Sequence, residues 1–239
     1  MRTGLASLSR VTARLIVAGL VAGCSGGSSG GSQQSTAALL ARAKTVLDQT
    51  SSVHFVLTST GVPAGGVGAR VVGGEGVAER PRDFQGTLKI MLGSTTASIE
   101  VISVGGKVYI KPPFTTKYAV TDPAIFHLKD PGMLVDQQTG VSRLLTAMTG
   151  AQSLGKARIN GEVVQEIKGT VPGSVVGSLL TTADPSKPVT ITVALADPSG
   201  QLRRAVLSGP FYRLNTTSTF TIVFDRYGEK VTVVAPHVG

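Results

Sequence analysis

The residues in this chain that could do chemistry are few, and their spacing limits what that chemistry can be. Cys24 is the single cysteine of 239 residues, so neither an internal disulfide nor a thiolate pair for a metal can form. The histidines, His54, His127 and His237, lie far apart, and no two of them have zinc-ligand spacing. Gly173-Ser174-Val175-Val176-Gly177 is no nucleophile elbow, because its serine stands one place too early. Neither a phosphate-cradling glycine loop nor a dinucleotide fingerprint occurs. Glu75, Glu79 and Glu100 could supply paired carboxylates, but their simpler reading is solvated strand faces. His54 likewise reads as a surface residue on a strand edge. A hydrolase would need the fold to bring a serine, a histidine and a carboxylate together from distant positions. The chain therefore reads as a non-enzyme with no cofactor and no metal site.

What remains to Cys24 is modification of its sulfur, and the flanking residues say of what kind. Arg2, Arg10 and Arg14 form a basic start free of acidic residues, an apolar run from Leu15 to Ala22 follows, and Val21-Ala22-Gly23-Cys24 closes it. About eight apolar residues suit the core of a cleaved export signal. They are too few to span a bilayer as a helix, which takes roughly 20. The closing quartet matches the lipobox of bacterial lipoproteins, where the chain is cut before the cysteine and its sulfur receives diacylglycerol. At about 0.8 kcal/mol per buried methylene, two or three acyl chains hold a protein stably at a membrane. Ser25 to Gln34 is almost wholly Ser, Gly and Gln, the composition of a flexible tether. The expected organisation is a signal peptide over 1–23, a tether over 24–34 with lipid on Cys24, and one domain over 35–239. Such a protein sits on the outer, extracytoplasmic face of the cell membrane.

Charge narrows the partners. Three of the 23 basic residues lie in the signal, leaving 20 against 14 acids and a net charge of +6 on the remaining 216 residues. Export argues against nucleic acid, and the lysines and arginines are scattered rather than gathered into a patch. Anionic lipid or an acidic envelope polymer is the more natural attraction, with a charge that serves only solubility as the alternative.

The elements that must position anything in this chain are mostly strands. Ser35 is a plausible N-cap for a helix of about 14 residues, with Leu39, Leu40, Ala43, Val46 and Leu47 on one stripe. Alternation then predicts strands at Val53–Thr58, Arg70–Glu79, around Phe84–Leu92 and around Ile99–Val101. The Gly105-Gly106 hairpin turn leads into Lys107–Lys111, which Pro112-Pro113 ends. Val141, Leu144, Leu145 and Met148 recur at helical spacing and predict a short amphipathic helix closing at Gly150. Strands resume at Gly155–Asn160 and Val163–Thr170, joined by Asn160-Gly161, and a small helix is expected over Ser174–Leu180. The last third alternates most clearly, through Val189–Leu195, Leu202–Ser208 and Thr219–Phe224, with Lys230–Val234 closing the domain. Short turns between antiparallel neighbours predict an α+β fold: a single curved antiparallel sheet with α-helices covering one face.

Hydrophobic residues make up 41% of the chain, with no tryptophan, so the interior is mainly aliphatic. That suits a close-packed core, and it equally suits a cavity for acyl chains, which need no directional polar partner. Composition leaves both readings open: a carrier with a cavity, or a structural or interaction lipoprotein with a solid core.

Several segments, in order along the whole domain, resemble the LppX/LprA/LprF/LprG lipoprotein family of mycobacteria. Val53-His54 with Leu57-Thr58 is similar to its first strand. Gly86-Thr87-Leu88-Lys89 and Gly105-Gly106-Lys107-Val108-Tyr109 resemble its next hairpins. Asp130-Pro131-Gly132-Met133-Leu134-Val135-Asp136, then Thr139-Gly140-Val141, resembles its central signature. Ile159-Asn160-Gly161 and Ile167-Lys168-Gly169-Thr170-Val171-Pro172 follow, and Tyr227-Gly228-Glu229-Lys230-Val231 resembles its closing motif with tyrosine for tryptophan. The resemblance implies a half-barrel of antiparallel strands with α-helices covering its concave face, akin to the LolA/LolB carriers. It also implies a hydrophobic cavity for acylated lipid or glycolipid cargo, and a membrane lipid exporter as partner. By match to the family, Leu88 is the first cavity-lining residue, with Ile90 and Leu92 in the same phase. Ile99, Val101, Val108 and Ile110 follow from neighbouring strands, and Leu144, Leu145 and Met148 from the helix side.

Overall fold

A computed structural model describes residues 34–64, 68–127, 129–213 and 215–239. Cys24, the signal segment and the tether up to residue 33 lie outside the described residues.

Helix α1 (Thr36–Gln49) starts where the Ser35 side chain accepts a hydrogen bond from the Ala38 amide at 3.2 Å, and it buries Leu40, Ala43 and Leu47. At its other end the Arg80 guanidinium donates to the carbonyls of Thr50 and Leu47, each at 2.9 Å. A cation is favoured there because the last carbonyls of a helix are unpaired and carry its negative end. Burial lowers the Arg80 pKa, against the opposing pull of Asp48 and Asp136.

The chain then runs as a meander of six strands: β1 (Ser52–Thr60), β2 (Ala69–Glu79), β3 (Asp83–Leu92), β4 (Thr95–Val104), β5 (Lys107–Lys111) and β6 (Ala119–Val120). Two single-turn 3₁₀ segments (Pro123–Phe126 and Pro131–Val135) and helix α2 (Val141–Ala147) carry it across to the far edge of the sheet. A second meander returns through β7 (Thr149–Ile159), β8 (Glu162–Pro172), the single turn α3 (Gly173–Val176), β9 (Pro188–Ala196), β10 (Leu202–Arg213) and β11 (Thr216–Asp225). The result is one open antiparallel sheet of 11 strands in the order β6-β5-β4-β3-β2-β1-β11-β10-β9-β8-β7, as the α+β half-barrel reading expected. Its centre is the pairing of β1 with β11, His54 opposite Asp225 through Thr60 opposite Thr219. Both expected glycine turns are formed. Gly105 and Gly106 have φ of 59° and 73°, a two-residue connection whose positive φ matches the twist of the flanking strands.

Four elements differ from the sequence reading. Helix α2 stops at Ala147, because Met148 is extended and Thr149 already pairs with Thr170 in β7. Strand β7 thus begins six residues before Gly155. Its first half is an exposed sheet edge with register shifts on both sides of Gln152 and Ser153, so no apolar alternation marks it. The expected helix over Ser174–Leu180 is only the turn α3, cut short at Gly177, a weak helix former. Lys230–Val234 is no strand. Instead the segment lies on the outer sheet face, where Val233 is buried with Ile102 and Tyr109 and its amide donates to the Glu79 carboxylate at 3.2 Å.

Candidate functional site

Strand alternation puts Phe55 and Leu57 of β1 on the inner face, opposite Phe224 and Ile222 of β11. Phe220 of β11 and Leu207 and Phe211 of β10 continue this surface, and Val71 and Leu88 bound it on the other side. The segment 129–134, Leu144 of α2, and Val176, Leu179 and Leu180 form a roof over it. Between floor and roof lies a cavity of about 120 Å³. Its walls are apolar apart from Lys129 and Asp130 on the roof. Leu57 and Ile222 are only half-buried although they sit at the middle of an 11-stranded sheet, because they face this space.

Polar ties hold the roof down. The Asp136 carboxylate accepts from Arg82 Nε at 3.0 Å and Nη2 at 2.8 Å, from the Thr139 amide and hydroxyl at 2.8 Å each, and from the Gln138 amide at 3.0 Å. Burial works to raise this carboxyl. The bonds from Thr139, Arg82 and Gln138 outweigh burial and hold it at about 2. Asp130 accepts from the Gly132 amide at 2.9 Å, capping the 3₁₀ turn. Gly132 itself has no room for a side chain, since a Cβ there would lie 1.9 Å from the Arg82 carbonyl oxygen. The Asp-Pro-Gly run is thus the close approach of roof to sheet. Ser178 donates to the Thr139 carbonyl at 2.8 Å and joins the two parts of the roof.

Of the residues expected to line a cavity, Leu88 and Leu144 do. Ile90, Ile99, Val101, Val108, Ile110 and Leu145 are each 5% exposed or less and lie in the packed core beside it. Met148 packs against that core half-buried, from the extended residue after α2. Leu92 needs correcting: it keeps the phase of Leu88 and Ile90 but ends β3 where no described residue covers it, and is 52% exposed. The wall residues not anticipated are Val71, those of β1, β10 and β11, and the roof residues other than Leu144. The signal for the β11 residues was the phenylalanine alternation at Phe220 and Phe224.

His54 is also not the surface residue expected. It is 8% exposed, and its Nδ1 lies 2.5 Å from Asp225 Oδ1 across the central strand pair. This pair occupies the face opposite Phe55, outside the cavity wall. The nearby Ser52 hydroxyl donates to the Glu229 carbonyl at 2.5 Å instead of to the histidine. Among the described residues, His, Cys, Asp and Glu nowhere gather in threes that could hold a metal ion. No described helix is long and apolar enough to cross a membrane.

One open antiparallel sheet roofed by short helices over an apolar space defines the class of fold. Residues 35–233 match the family described as LppX_LprAFG lipoprotein, and the chain belongs to that family. It is 27% identical over 191 residues to the lipoarabinomannan carrier protein LprG of Mycobacterium tuberculosis, covering 78% of this chain and 76% of that one. Among solved structures, LprF of Mycobacterium bovis superposes with a TM-score of 0.69 at 18% identity, over 85% of this chain and 97% of that one. Mycobacterium tuberculosis LppX superposes at 0.60 with 21% identity, over 83% and 98%. These two likenesses establish the fold.

Proposed function

We propose that this lipoprotein binds acylated lipids or glycolipids in the roofed cavity and carries them across the cell envelope without altering them chemically. Lipid on Cys24 would hold it to the outer face of the cell membrane, within reach of a membrane lipid exporter. The observation that carries this reading is the apolar cavity at the β1–β11 seam. Such a space is unfavourable when empty and offers a methylene chain about 0.8 kcal/mol per buried group. The relative LprG, named for carrying a lipoglycan, supports the same reading.

Size adds a condition. About 120 Å³ is well below the roughly 300–1,000 Å³ of pockets that enclose whole small-molecule ligands. Loading therefore requires the roof to lift. Short turns held by polar ties are better suited to this than a long packed helix, since local opening is cheapest where few apolar contacts break. The rival reading, a scaffold with a solid interior, gives no reason for a cavity beneath such a roof.

The test is lipid mass spectrometry on the Cys24→Ala chain expressed in a mycobacterium, so that the anchor contributes no acyl groups. Extractable acylated lipid should co-purify in near-equal molar amount. Leu88→Trp and Leu144→Trp, which fill the cavity from floor and roof, should remove most of it. A chain free of lipid, with neither substitution changing uptake of added lipid, would overturn the carrier reading.

A further inference from the structure

The cavity is bounded differently at its two ends. Beyond Thr60 of β1, and where β10 gives way to β11, the strand ends surround a second chamber of about 420 Å³. Its walls are Pro63, Arg70, His127, Thr182, Tyr212 and Arg213, with Phe211 at its base. Phe211 is 2% exposed and lines both spaces, so the chamber stands directly on the apolar cavity. Arg213 and His127 are exposed, which places this chamber between the cavity and solvent.

Its charge is one-sided. Among the described residues, two arginines and a histidine line it and no carboxylate does. Arg70 is held in place: Nη1 donates to the Pro63 carbonyl at 2.7 Å, and the guanidinium lies 5.6 Å from the Tyr212 ring centroid. That leaves most of its planar fork of donors free to meet an anion. Among the described residues, none of Arg70, His127 and Arg213 forms an ion pair with a carboxylate. Neutral donors complete the wall. Burial pushes the Tyr212 phenol up, so it stays protonated. Beside it the buried Thr182 hydroxyl oxygen has no hydrogen bond of good geometry. Two arginines without counter-charges, one of them held in place, fitted with hydroxyl donors, are complementary to a phosphate or similar oxyanion. Free phosphate would gain nothing from Phe211 or the apolar space below, whereas an amphiphile uses both.

We infer that the chamber receives the phosphate-class headgroup of the lipid whose acyl chain enters the cavity, so that the protein selects anionic over neutral lipids. This rests on the acyl-chain reading of the cavity, and the experiment separates the two. Delipidated Cys24→Ala protein is titrated with two probes differing by one phosphate, 1-palmitoylglycerol 3-phosphate and 1-palmitoylglycerol, at low and high salt. The phosphorylated probe should bind roughly tenfold more tightly, the scale of one or two charge-assisted hydrogen bonds, and the advantage should shrink in high salt. Arg213→Gln, at the exposed rim where folding is not at stake, and Arg70→Gln should each erode the preference while leaving the neutral probe unchanged. Equal affinity for the two probes overturns the headgroup site but leaves the acyl-chain reading intact. Binding of neither probe overturns both. Displacement of the lipid phosphate by millimolar inorganic phosphate, with no effect of Leu144→Trp, would make the chamber a free-anion site and also overturn the inference.

Discussion

The inner face of the sheet has two regions built from the same alternation, and they end differently. Under β3, β4 and β5, Ile90, Ile99, Val101, Val108 and Ile110 are 2–5% exposed and closely packed. Under the β1–β11 seam, Leu57 and Ile222 keep the same phase yet stay half-buried beside a cavity. The seam is walled by four rings, Phe55, Phe211, Phe220 and Phe224, and roofed by single turns, the short helix α2 and irregular chain. The cavity lies where these rings face that roof, and the strand pattern, common to both regions, does not mark it.

The largest expected effect tests that difference in packing. Phe84 is fully buried and stacks on Phe55 with centroids 5.7 Å apart. Phe84→Ala should cost about 3–5 kcal/mol in urea unfolding, the range for removing a large side chain from a closed core. Leu57→Ala removes atoms that already border a void, and should cost only about 1 kcal/mol while leaving lipid uptake intact or enlarged. Equal losses at the two positions would erase the distinction between packed and open regions.

The sheet and its turns were legible in the sequence because period-two alternation and paired glycines are local signals. Leu88 and Leu144 were legible as wall residues through the family match. The rest of the wall was not, for a topological reason. Phe55 and Leu57 meet Phe224 and Ile222 only because the first and last strands pair, and nothing local announces that pairing. Leu92 misled because phase says which face a side chain takes but not whether that face is covered there. His54 misled in the opposite sense: its partner Asp225 is supplied by the same long-range pairing.

Roof and core should also differ in their response to pH. The Asp136 carboxyl sits at about 2 in the folded protein against an ordinary 3.8, and its side chain is 12% exposed. A depressed carboxylate contributes stability in full above its unfolded value and loses it as pH falls through the folded one. The ties around Asp136 should therefore contribute about 2 kcal/mol near neutrality, lost between about pH 4 and pH 2. Asp136→Asn should lower neutral stability by about that amount and flatten the acid limb of the stability profile. It should also speed lipid exchange by loosening the roof. A variant with unchanged acid sensitivity would show that the roof is held by packing, like the core.

The smallest effect lies on the outer face, remote from the cavity wall. Glu100 bridges Lys111 Nζ at 2.5 Å and the Tyr118 hydroxyl at 2.7 Å, tying β4 and β5 to the chain just before β6. Its side chain is 47% exposed, so the pair with Lys111 is screened and Glu100→Gln should cost under about 1 kcal/mol. The sharper readout is the phenol. Burial, then the bond and charge of Glu100, raise Tyr118 to about 12. In the variant its ultraviolet titration should fall but stay above the ordinary value of 10, because burial remains. Lipid loading should not change. If it did, the outer edge and the seam would be mechanically coupled, and the roof ties could not be the sole control on the cavity.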